Sequence, residues 1–174
     1  MERGRLFVGI VFALALLTCL VSEAPAQTKV LKDFPLNSLD GVVTRSGVSL
    51  DKGMSSDGKG SLRIVVKKPR VVKLFEMGDV DVEDARLLYK AKLRTEDLDG
   101  HAYLEMWVSI PGKGEFFSRG LQNPLSGTTD WKSVETPFFL KEGQNPDKVK
   151  LNVVVNGKGT VWIDDIKLEK TPPQ

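Results

Sequence analysis

From Tyr103 to Ile110 apolar and polar side chains alternate without a break: Leu104, Met106, Val108 and Ile110 form one set, and Tyr103, Glu105, Trp107 and Ser109 the other. Successive side chains of a strand point to opposite faces, so a run of this kind separates a dry face from a wet one only as β structure. The same period recurs elsewhere. Leu62, Ile64 and Val66 alternate with Arg63, Val65 and Lys67; Leu87, Tyr89, Ala91 and Leu93 with Leu88, Lys90, Lys92 and Arg94; Val149, Leu151, Val153 and Val155 with Lys150, Asn152 and Val154. Phe116 and Phe117, Trp131 to Leu140, and Thr160 to Leu168 supply further strands. Clusters of Gly, Pro, Asn and Asp separate them, at Asp51 to Ser61, Thr95 to Gly100, Pro111-Gly112, Gly120 to Gly127 and Lys141 to Lys148. No stretch beyond residue 26 places apolar residues at helical spacing. The expected fold is all-β, an antiparallel two-sheet β-sandwich. Leu87 to Arg94 is expected to turn at residues 95–100 and to pair as a hairpin with Tyr103 to Ile110.

The first 26 residues follow a different pattern. Arg3 and Arg5 precede an apolar run from Leu6 to Val21, and Ala24-Pro25-Ala26 follows it. That order reads as a signal peptide cleaved near Ala26, which predicts a secreted or periplasmic protein with no membrane span in its mature form. A retained anchor is the competing reading, although Gly9, Thr18 and Cys19 interrupt a run already short for a bilayer. Lipidation at Cys19 is disfavoured by Thr18 before it. Residues 27–170 are then one β-sandwich domain, with 171–174 as a disordered tail ending in Pro172-Pro173-Gln174. The one cysteine lies in the leader, so packing rather than a disulfide must hold the mature domain. The formal net charge of +2 is scattered, with Lys and Arg interleaved among Asp and Glu, and predicts no nucleic-acid partner.

Three segments carry a family resemblance. Val161-Trp162-Ile163-Asp164-Asp165-Ile166-Lys167-Leu168 resembles the last strand of carbohydrate-binding modules with the galactose-binding-like jelly roll. Asp57-Gly58-Lys59-Gly60-Ser61-Leu62 resembles their turn into an early strand, and Thr129-Asp130-Trp131 their entry to a strand with a structural Trp. The resemblance implies a jelly roll, a glycan or polysaccharide as ligand, and a structural calcium ion. Asp164 or Asp165 would supply its carboxylate and the turn at Gly60 a carbonyl; solvent-facing Asp residues are the alternative. Such modules are usually joined to a catalytic domain, whereas this sequence is read as one domain.

A sugar ring offers an apolar C–H face and a fringe of hydroxyls, so a site for it needs an aromatic platform beside polar groups. With Leu104, Met106, Val108 and Ile110 inside, Tyr103, Glu105 and Trp107 share the outer face. In the hairpin, Lys90 and Lys92 would join them, and Asn152 projects outward from its own strand. The amines would suit an acidic glycan. An ordinary solvated sheet face with cross-strand Lys and Glu pairs is the competing reading, and a cell-envelope protein partner the alternative ligand. Trp131 and Trp162 are assigned to packing, and Arg119 to the rim of the same face without a spacing argument. Catalysis finds little support. His101 is the only histidine, no G-x-S-x-G elbow is present, and neither Glu105 nor Glu115 is marked as half of a glycosidase pair. A small jelly-roll hydrolase or lyase is the remaining catalytic reading.

Overall fold

The computed structural model describes residues 27–78 and 80–173; the expected signal peptide lies outside them. Eight strands follow one another: β1 (Lys29–Phe34), β2 (Val48–Asp51), β3 (Ser61–Val66), β4 (Arg70–Gly78), β5 (Ala85–Ile110), β6 (Gly114–Arg119), β7 (Leu125–Leu140) and β8 (Lys148–Thr171). Every pairing is antiparallel.

Two long strands organise the rest. β5 and β8 pair along almost their whole length, from Arg86 opposite Thr171 to Ser109 opposite Lys148. One half of this ribbon is flanked by β7 on the β5 side and by β1 and β3 on the β8 side, with β2 outside β3. The other half is flanked by β6 beside β5 and by β4 beside β8. Leu87, Leu93 and Ile163 from the first half and Leu104, Met106 and Leu151 from the second enter one core. The ribbon therefore folds over on itself, and its halves become the two layers of a sandwich.

Glycine permits the fold-over. At the crossing, Gly100 lies opposite Gly157, and its φ of +119° is open to few other residues. A Cβ on Gly100 would collide with the carbonyl oxygen of Asn156, and one on Gly157 with that of Asp99. The segment 95–100, expected to be a loop between hairpin strands, is instead the bend within β5. Leu87–Arg94 and Tyr103–Ile110 do not pair with each other, because each pairs with β8. His101 lies in β5 opposite Asn156.

The tail also begins later than expected. Thr171 ends β8 as a buried residue, and its hydroxyl accepts a hydrogen bond from Arg86 Nε at 2.9 Å.

The Asp164-Asp165 pair has a local structural explanation. Lys90 pairs with Lys167 but Lys92 with Asp164, so β8 carries an extra residue there. Asp165 adopts φ +51°, which Asp tolerates better than most residues. The bulge switches the inward positions from Val161 and Ile163 to Ile166 and Leu168. Asp164 and Trp162 are left on the outer surface, yet both are buried. Trp162 Nε1 donates to Asp51 Oδ2 at 2.9 Å, and Ser56 donates to Asp164 Oδ2 from its amide at 2.8 Å and its hydroxyl at 2.7 Å. The segment after β2 is thus clasped onto the final strand.

Candidate functional site

The outer face of the second layer carries an aromatic and polar groove. Glu105 on β5 stands between Arg119 on β6 and Asn152 on β8, and Lys73 on β4 follows Asn152 in the same row. One pleat along, Trp107 stands between Phe117 and Lys150. Alternation thus projects residues from four neighbouring strands to one side.

Glu105 is the hub. Although on the outer face, it is only 2% exposed. Its Oε1 accepts from Trp107 Nε1 at 2.8 Å and from Asn152 Nδ2 at 3.1 Å, and its Oε2 accepts from Arg119 Nε at 2.7 Å. Burial by itself would raise the carboxyl pKa. The bonds from Arg119, Trp107 and Asn152 outweigh that effect and hold it below its ordinary value. The pair in turn raises the pKa of Arg119. Glu115 is likewise held low, by Lys150 Nζ at 2.6 Å and Ser109 Oγ at 2.8 Å.

The network fixes an apolar platform. The Trp107 and Phe117 rings lie 5.1 Å apart, tilted by 47°, and the Arg119 guanidinium sits 4.4 Å from the Phe117 centroid. Phe117 remains 51% exposed, which for a large apolar side chain leaves much of its surface to be covered by a ligand. Val71 from β4 closes the opposite side of a shallow groove of about 320 Å³. Apolar surface and fixed donors and acceptors therefore stand side by side, as binding a polyhydroxylated ring requires.

Four of the six expected ligand residues are together: Trp107, Glu105 and Asn152 in the groove and Tyr103 on the same face beside it, stacked on His101 with centroids 5.8 Å apart. Lys90 and Lys92 are not with them. They belong to the first layer, paired with Glu169 at 3.3 Å and Asp165 at 3.7 Å, beside a separate hollow of about 450 Å³. The hairpin that would have carried them across does not form. Lys73, Lys150 and Arg119 complete the groove, and Phe117 stands beside it against Trp107. Alternation of Glu115, Phe117 and Arg119 signals their common face, whereas a register shift between Lys73 and Phe75 breaks the β4 pattern.

Of the residues named for calcium, Asp164 belongs to the clasp. Asp164 Oδ1 accepts from the Asp165 amide at 2.8 Å and Oδ2 from Ser56, while Ser55 Oγ stands 3.4 Å from Oδ2. Asp165 faces Lys167 at 2.6 Å and Lys92. Carbonyl oxygens of Asp51 and Leu36 lie within 3.8 Å of where a Gly60 Cβ would stand. Among the described residues no group of three or more His, Cys, Asp or Glu side chains converges to hold a metal. A calcium ion takes six to eight oxygens; here one carboxylate accepts from hydrogen-bond donors and the other faces amines.

Solved structures share this architecture. The CBM22-1 xylan-binding domain of Paenibacillus barcinonensis Xyn10C superposes with a TM-score of 0.60 at 12% identity, over 87% of this chain and 100% of that one. The chain has the fold of a carbohydrate-binding module. The CBM22-1 and GH10 modules of Clostridium thermocellum xylanase 10B, solved with xylohexaose, match this module fold with a TM-score of 0.59 at 8% identity, over 80% of this chain and 28% of that one. A family 16 carbohydrate-binding module gives 0.50 at 12% identity, over 70% and 84% of the respective chains. No protein-family model and no curated protein sequence matches the chain.

Proposed function

We propose that the protein is an exported, non-catalytic domain that binds glycans on the Trp107 face. The carrying observation is the Glu105 hub, which fixes Trp107 and Arg119 at the edge of an open Phe117 ring. A sugar ring stacks on Phe117 and Trp107, while Lys73, Lys150 and the remaining guanidinium N–H groups of Arg119 meet its hydroxyls. The module fold and the xylan- and xylohexaose-binding neighbours support this reading, and the leader of residues 1–26 supports export. A glycosidase needs a general acid of raised pKa. Glu105 and Glu115 are both shifted the other way, by partners that stabilise the ionised form.

Retention on a polysaccharide panel tests the proposal. Phe117→Ala is expected to weaken retention about fivefold, an aromatic contact of about 1 kcal/mol, with the thermal midpoint unchanged because the ring is exposed. Trp107→Ala is expected to abolish retention. Full binding by Trp107→Ala, or no retained glycan at all, would overturn it. The Asp164 clasp is proposed to hold without a metal ion.

A further inference from the structure

We infer that the groove selects glycans bearing uronic acid carboxylates over neutral ones, through Lys73. The inference rests on the glycan-binding reading of the same groove. It follows from how the groove's charges are paired. Three cations and two carboxylates line it: Lys73, Arg119 and Lys150 against Glu105 and Glu115. Arg119 is engaged by Glu105 at 2.7 Å, and Lys150 by Glu115 at 2.6 Å. Lys73 enters no ion pair among the described residues.

The flanks do not cancel this surplus. Glu76 stands opposite Lys150 at the β4 end of the Trp107 row, and Lys148 stands opposite Ser109 one row further on, so one charge of each sign borders the groove. At the Glu105 row, Lys73 is exposed beside Asn152, while Asn152 donates its amide to Glu105. A glycan lying across Trp107 and Phe117 therefore meets an unpaired ammonium at the β4 side. Val71, 45% exposed, borders the same spot, and covering it with a sugar removes water from beside the amine and strengthens its attraction for an anion. A neutral hydroxyl accepts from the ammonium but gains nothing from its charge.

This overturns the source of acid preference that Lys90 and Lys92 were expected to provide. Those amines face Glu169 and Asp165 on the other layer.

The test compares affinity electrophoresis of the protein in gels of glucuronoxylan or polygalacturonate with gels of neutral arabinoxylan or glucomannan. Lys73→Met keeps the aliphatic stem and removes the charge. Lys158→Met, on an exposed amine at the ribbon crossing, removes the same net charge elsewhere. The expected result is about three- to fivefold tighter retention by acidic gels at low ionic strength, the range of one partly screened ion pair. That advantage should vanish at high salt and in Lys73→Met, but persist in Lys158→Met. Equal retention by both gel classes, retention by neutral gels alone, or an advantage that survives Lys73→Met overturns the inference while leaving the glycan-binding reading intact. An advantage lost equally in both variants also overturns it, by assigning the preference to net charge. Retention by neither class refutes the glycan-binding reading itself and this inference with it.

Discussion

Glu105→Gln isolates the charge at the centre of the groove. The amide keeps the carboxylate's shape, and its oxygen still accepts from Trp107 Nε1 and Asn152 Nδ2. Its nitrogen, however, faces Arg119 Nε, so the 2.7 Å bond from that guanidinium is replaced by two donors in apposition. A hydrogen bond to a charged group contributes about 1.5–3 kcal/mol. The Arg119 side chain is 39% exposed and water screens the pair, which brings the expected loss to about 1–2 kcal/mol. In a urea melt that is a fall in midpoint of about 0.5–1 M, for a slope of about 2 kcal/mol/M. The loss should depend on pH with a definite sign. The folded state depresses the pKa of Glu105, so its contribution is complete above the unfolded carboxyl value of about 4.3 and fades as pH falls through the lower folded value. Asp51, Asp57 and Glu115 are depressed too, so the native protein weakens in acid for several reasons. The difference between native and Glu105→Gln proteins removes those shared contributions. Melts at pH 7, 5 and 3.5 should show a constant gap at the first two and a smaller one at the third. A gap that stays the same at pH 3.5, or the absence of any gap at pH 7, would refute the claim that an ionised Glu105 ties β5 to β6.

Other expectations concern the frame around the groove. Gly100→Ala should cost at least about 3 kcal/mol or prevent soluble expression, because its methyl enters the Asn156 carbonyl. Gly112→Ala, at φ +71° but in open space, should cost only about 1 kcal/mol in the same chemical melt, and equal effects would argue against a steric crossing. Chelation with EDTA should leave the thermal midpoint unmoved, whereas Asp164→Ala, which strands the Ser56 donors, should cost about 2–4 kcal/mol; a midpoint lowered by EDTA and restored by calcium would overturn the metal-free clasp.

Period-two alternation made the core of β3, the two halves of β5 and much of β8 legible, since one face of each is buried. It was silent where burial does not alternate. In β4, Val72, Leu74 and Phe75 are all buried because a register shift places consecutive side chains inward. β1 covers an edge with a mostly exposed surface and offers no apolar stripe. The groove was half legible for the same reason. Trp107, Glu105 and Asn152 fall on the outer face by counting alone, but Lys73 lies just before the β4 irregularity. Whether Lys90 joined them depended on strand pairing, and Gly100, Gly157 and Gly159 are equally compatible with a loop and with a crossing. The segment around Asp164-Asp165 was legible as a strand, while the part of Asp164 in the clasp depends on Ser56, more than a hundred residues earlier.

The ribbon also dictates an order of assembly. β8 follows the other seven described strands, yet β1, β3, β4 and β5 all pair with it. No earlier stretch of chain can complete either layer, because each lacks the strand that joins its flanks. The two layers must therefore remain open until β8 has been made, and closing contacts so distant in sequence places such folds among the slower small domains, at about milliseconds to seconds. The groove comes into being in that same step: Asn152 and Lys150, the middle of its floor, both belong to β8.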